Sequence, residues 1–144
     1  MTLKYGFVAG FAGSAVLAIV FVMQSIMGIM PQMDIIMMLS SMMSMPIIMG
    51  WIAHFAIGTF VWGGLFALAN NAIPGGSQVA KGVVLGIAAW LVMMVMVMPM
   101  AGGGYFGLNF GLMGAMMPLV LHIIFGAILG YVYARLGHID SQPA

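Results

Sequence analysis

The chain has 144 residues, of which three are Lys or Arg and two are Asp or Glu, for a net charge of +1 at pH 7. Charged residues make up 3% and apolar residues 65%, whereas a soluble domain carries about 25% charged residues. Such a chain cannot clothe a water-facing surface, which excludes a soluble enzyme, a nucleic-acid-binding surface and a disordered tail, and leaves an all-α integral membrane protein.

A spanning helix needs about 20 mostly apolar residues. Four segments meet that requirement, at 5–30, 46–69, 81–98 and 112–136, and Pro and Gly punctuate the gaps between them. Period-2 alternation is missing, so a β-barrel is not expected. The first run is too long for a signal-peptide core and is expected to remain as an anchor. Segment 31–45 reads as a short interfacial helix with Asp34 as its N-cap and Ser40, Ser41 and Ser44 on one face. Segment 99–111 holds Gly102, Gly103, Gly104, Gly107 and Gly111 beside Tyr105, Phe106 and Phe110. It reads as an irregular loop or re-entrant turn, without the Gly-Lys-Ser/Thr of a phosphate loop.

Lys4 precedes the first span, Lys81 opens the third and Arg135 closes the fourth. With four spans all three fall on one side, expected to be cytoplasmic, so both termini are expected inside. The halves also match. Lys4-Tyr5-Gly6 with Gly10 opens the first, and Lys81-Gly82 with Gly86 opens the second. Met30-Pro31 and Met98-Pro99 close the opening helices, and His54-x-x-x-Gly58 and His122-x-x-x-Gly126 mark the return helices. One membrane domain, 1–144, is therefore expected to contain two parallel hairpin repeats, 1–70 and 79–136, followed by a short cytoplasmic tail at 137–144.

The stretch Gly50-Trp51-Ile52-Ala53-His54-Phe55 with Trp62-Gly63-Gly64, the Met98-Pro99-Met100 turn and Leu121-His122-Ile123-Ile124-Phe125-Gly126 carry a resemblance over most of the chain. The sequence resembles an uncharacterised family of small four-helix bacterial inner-membrane proteins, a domain of unknown function with looser similarity to YagU-like proteins. The resemblance implies a bacterial inner membrane and four helices, and it assigns no activity and no functional residue.

Three sets of residues are candidates for function. Gly6, Gly10, Gly50, Gly58, Gly82, Gly86, Gly126 and Gly130 form small-residue stripes that let helix backbones approach, for packing within the bundle or for a dimer or partner interface. His54 and His122 are ionisable groups inside spans, where such groups face protein or water. They suit either neutral imidazoles bonded to backbone or a site for copper, haem b or a quinone. The third set is methionine. Apart from Met1, ten of the 19 methionines lie in 23–49 and eight in 93–117. All eighteen belong to the outer half on this topology. Thioethers are soft ligands for Cu(I), and Met49, Met94, Met98 and Met117 are the candidate metal ligands near the histidines. Methionine is also the most adaptable apolar side chain, suited to a surface that repacks against a partner.

No acid lies in a span near either histidine, and Asp34 and Asp140 fall on opposite sides, so no catalytic constellation is expected. The spans lack the charged groups of ion-coupled carriers and cation channels. The expected role is non-enzymatic: an accessory or stabilising subunit meeting lipid and other membrane subunits or copies of itself. The alternative is a metal- or haem-binding membrane protein.

Overall fold

The computed structural model describes residues 2–140, with the side chains of residues 139 and 140 left aside. The described chain is all helical, and it contains α1 (Leu3–Met27), α2 (Ile35–Met42), α3 (Ile47–Ala69), α4 (Gln78–Met100) and α5 (Met113–Asp140). Four of these, α1, α3, α4 and α5, are long and apolar enough to cross a membrane, with mean hydropathies of 2.3, 1.7, 2.4 and 2.0. In hydrocarbon the helix is the natural solution for such segments because it satisfies every backbone donor and acceptor internally.

The ends of the helices follow local chemistry. α1 stops at Met27, three residues short of the expected 30, because Gly28 adopts φ 65°. Its N–H bonds Ser25 O, and the N–H of Ile29 bonds Gln24 O at 3.0 Å, so the last carbonyls are satisfied by a left-handed glycine cap. α4 starts at Gln78 and not at Lys81 because the Ser77 hydroxyl accepts from Ala80 N at 3.1 Å. Lys81, one turn inside, sends its ammonium to Asn70 O at 2.7 Å, closing the α3–α4 connection.

The spans alternate in direction. Tyr5 and Phe66 both meet the ring of Tyr133, at 6.3 and 5.1 Å between centroids. The start of α1, the end of α3, the start of α4 and the end of α5 therefore share one end of the bundle, where Lys4, Lys81 and Arg135 lie. α1 packs on α3 and on α5, and α5 packs most extensively on α4. A core cluster running from the basic end to the middle of the bundle is built from Ala9, Leu17, Phe66, Ala67, Leu85, Phe125, Leu129 and Tyr133.

Helix contacts run through glycine. A Cβ on Gly82 would overlap Gly126 O, one on Gly126 would overlap Gly82 O, and one on Gly86 would overlap His122 O. Gly130 lies as close against Gln78 O. In the other pair Gly6 faces Gly63 O and Gly10 faces Gly58 O. Gly82 and Gly86 are four apart and meet Gly126 and Gly130, also four apart, as regular α-helices allow. Gly58 and Gly63 are five apart, which in an α-helix would turn them about 140° from each other. They nevertheless meet Gly6 and Gly10 because residues Ile57–Gly63 form a π segment. Its i→i+5 pattern stacks residues five apart on one face. A second π segment, Met93–Val97, interrupts α4.

The two connections at the end opposite the basic residues are structured. α2 is capped by Asp34, whose Oδ1 accepts from Ile36 N and Met37 N at 3.0 Å each. It packs on α3, with Gly50 closed against Ile36 O. Ser40 is buried, Ser41 is exposed, and Ser44 lies beyond the helix with φ 54°. The connection after α4 is a kinked 3-10 segment, Tyr105–Phe110, with positive φ at Phe106 and Gly107. Phe106 turns back to reach Trp90 at 5.8 Å between ring centroids, and Trp90 Nε1 donates to Ala115 O at 3.0 Å. Asp34→Ala removes a cap and is expected to cost α2 about 1 kcal/mol. Amide exchange at Ile36 and Met37 should then accelerate several-fold, and unchanged protection at those two amides would show that the cap does not hold α2.

Candidate functional site

A cavity of about 270 Å³ lies within the bundle, and all four spans and α2 line it. It is bounded by Ser14, Leu17 and Phe21 of α1, Ile35 and Leu39 of α2, His54 and Trp62 of α3, Ala89 and Met93 of α4, and His122 and Phe125 of α5. Both π segments contribute to its wall, Ile57, Gly58 and Trp62 from one and Met93 and Val97 from the other. Widened turns of this kind are over-represented at functional sites because they re-aim side chains and loosen backbone bonding. A smaller space of about 50 Å³ adjoins it, sharing Leu17, Phe21, Ile35, Met93 and His122 and reaching Gln24 and Met117.

The structure brings His54 and His122 to this one cavity, and their hydrogen bonds differ. His54 Nε2 lies 3.0 Å from Ser14 O on the neighbouring helix, while His122 Nδ1 lies 2.8 Å from Pro118 O of its own helix. A carbonyl only accepts, so each of those ring nitrogens carries the proton. The second nitrogen of each ring, Nδ1 of His54 and Nε2 of His122, is left as an acceptor with no hydrogen bond among the described residues. Phe21, Trp51 and Phe55 surround His54 edge-on at 5.3 to 6.3 Å. The His54 ring is thereby held by a backbone bond and by three aromatic neighbours, and it still lines the cavity.

Three further polar side chains carry no strong sequence signal. Ser14 is fully buried at the cavity wall, and its hydroxyl has no hydrogen-bond partner. Thr59, inside the first π segment, has a buried hydroxyl in the same state. Gln24 Nε2 reaches only the thioether of Met117, at 3.3 Å. A Ser in a span is common and is usually back-bonded to its own helix, so nothing in the order of residues distinguishes Ser14.

The four candidate metal ligands are dispersed. Met117 lines the smaller space with His122, Met33 and Met93. Met94 and Met98 are fully buried on the stretch of α4 that packs against the Tyr105–Phe110 turn, and they line neither space. Met49 is half-buried near the start of α3 and lines neither space. Among the described residues no group of three or more His, Cys, Asp or Glu comes together. Of the eighteen methionines with described side chains, ten are exposed and only Met94 and Met98 are buried. The methionines therefore form the outside of the bundle far more than its core.

No curated protein matches the chain, and no solved structure matches it. A family of unknown function, DUF6789, matches it over residues 2–144. With that match spanning nearly the whole sequence and four apolar helices beneath it, the chain belongs to the DUF6789 family.

Proposed function

We propose that this chain is a non-enzymatic, multi-pass protein of the bacterial inner membrane that serves as an accessory or stabilising subunit of a larger membrane complex. In this reading both termini face the cytoplasm, with Lys4, Lys81 and Arg135 on that side. The two hairpins, 1–70 and 79–136, are parallel repeats, each held by its own glycine contact between opening and return helix. The looser kinship with YagU-like proteins belongs to the same reading.

One observation carries the proposal. The described methionines lie away from the basic end, and ten of them are exposed, Met23, Met27, Met96, Met100, Met113 and Met116 among them. Lipid can be covered by Leu, Ile and Val alone. An unbranched, polarizable side chain at that density suits a surface that must adjust to another protein. The decisive experiment incorporates a photoreactive methionine analogue into the full chain in intact membranes. Illumination is expected to give discrete protein–protein adducts mapped to these positions, at least tenfold above adducts from a Leu analogue at the basic end. Adducts to lipid alone would overturn the accessory role.

A further inference from the structure

We propose that the cavity between α1, α3, α4 and α5 is a binding site for a small, neutral, hydroxylated ring compound, of the phenol or quinol class, held by hydrogen bonds to His54 and His122. The inference stands on the cavity and its polar atoms, independently of what the methionine-rich end contacts.

The bonding inventory selects the ligand. Each histidine spends its one N–H on a backbone carbonyl, Ser14 O for His54 and Pro118 O for His122. What remains on each ring is a lone pair, so the site offers two acceptors and calls for a ligand with donors. Ser14 lies behind these two rings, with its fully buried hydroxyl packed against Gly58 and no surface of its own in the cavity. The rest of the wall is apolar, with Phe21, Trp62 and Phe125 offering faces and edges for a ring. A volume of about 270 Å³ sits just below the ~300–1,000 Å³ of sites for drug-sized ligands, which fits one substituted ring. With few polar atoms and no charged residue on the wall, a neutral compound partitioning from the lipid is favoured over an ion.

The route of entry is also indicated. The principal packings run from α3 to α1 to α5 to α4, so α3 and α4 are the two ends of the series and face each other across the cavity. A substituent on the ring can leave between them toward lipid, while Ile35 and Leu39 of α2 cover the end away from the basic residues.

The test uses the full chain in detergent with Trp51 and Trp90 replaced by Phe, so that Trp62 on the cavity wall is the reporter. The probes are a methylated 1,4-benzoquinol and its dimethyl ether, which keeps the ring and lacks both donors. The quinol is expected to quench Trp62 at one site per chain, and the ether to bind at least tenfold more weakly. His54→Phe and His122→Phe should each weaken quinol binding about tenfold, with little effect on the ether. Equal binding of quinol and ether, normal quinol binding in both histidine variants, or stoichiometric Cu(I) uptake lost in those variants would each overturn the proposal. Extraction of the protein taken from membranes in polymer-bounded discs then separates the two sources. A polyprenyl quinol enriched over bulk lipid assigns the site to the membrane pool, and quinol binding without enrichment assigns it to a free phenol.

Discussion

Gly126→Leu is expected to unlock α4 from α5 and lower the stability of the bundle by at least about 3 kcal/mol, the upper end of overpacking in a filled interior. The size follows from what the new side chain meets. Around Gly126 the nearest atoms are backbone, namely the carbonyl of Gly82 and the Cα of Val83, and backbone cannot rotate away as a side-chain tip can. Gly82 stands in the same relation to Gly126 O, so Gly82→Leu should be equally damaging, and the double variant should cost less than the sum because one separation relieves both clashes. In a bilayer these contacts matter more than their area suggests, since lipid removes the hydrophobic drive and leaves close packing to hold helices together. Gly137→Ala serves as the control: nothing lies within 4 Å of the added methyl, and Ala favours a helix by about 0.8–1.0 kcal/mol over Gly. Thermal or SDS-induced unfolding in micelles reads all four variants. If Gly126→Leu unfolds like the parent chain, the α4–α5 contact is not what holds the second hairpin.

The spans were legible because length and hydropathy decide them, and their ends were legible to within a few residues. The residual differences trace to caps. Hydropathy carries the first span to Met30, yet α1 ends three residues earlier, at Met27, because Gly28 supplies a left-handed cap. Ser77 begins α4 ahead of the first apolar run. Asp34 as the cap of the short helix could be read from the sequence, because an acid before an apolar turn has a direct local consequence.

The cavity lay beyond such reading. Its existence depends on the rotation of each helix about its axis, and the first and last spans have apolar residues all round, so periodicity gives no face. The histidines could be singled out as rare ionisable groups, but their partners could not: Ser14 is forty residues from His54, and Pro118 is on the same helix as His122. The π segments explain part of the gap. In an α-helix Gly58 and Gly63 point apart, so the matching of α1 to α3 was invisible to a 3.6-residue count. Methionine placement was legible along the chain, and exposure adds that most of the side chains look outward.

Deleting Thr59 is expected to leave the bundle folded, whereas deleting Ala127 is expected to destroy it, although each change removes one small residue from one span. Both deletions shift the helix on one side by one residue, which in a regular α-helix rotates it about 100°. Ala127 sits in the regular helix between Gly126 and Gly130. Its loss puts those glycines three apart against Gly82 and Gly86, which stay four apart, and turns one half of α5 away from α4. The Phe125 and Leu129 side chains can then no longer both face the core. Thr59 sits inside Ile57–Gly63, where one extra residue is already accommodated by the wide turn. Removing it lets that turn close to α-helix, with the flanking residues keeping their faces. Gly58 and the former Gly63 then lie four apart against Gly6 and Gly10, the arrangement α4 and α5 already use. The deletion also removes a buried hydroxyl that has no partner, a gain of about 1–3 kcal/mol that offsets repacking. Size-exclusion profiles and unfolding midpoints in the same detergent separate the cases: a monodisperse ΔThr59 near the parent midpoint beside an aggregated or strongly destabilised ΔAla127. Equal damage from both would mean that the π turn is required for folding in its own right, beyond aligning glycines five apart with glycines four apart.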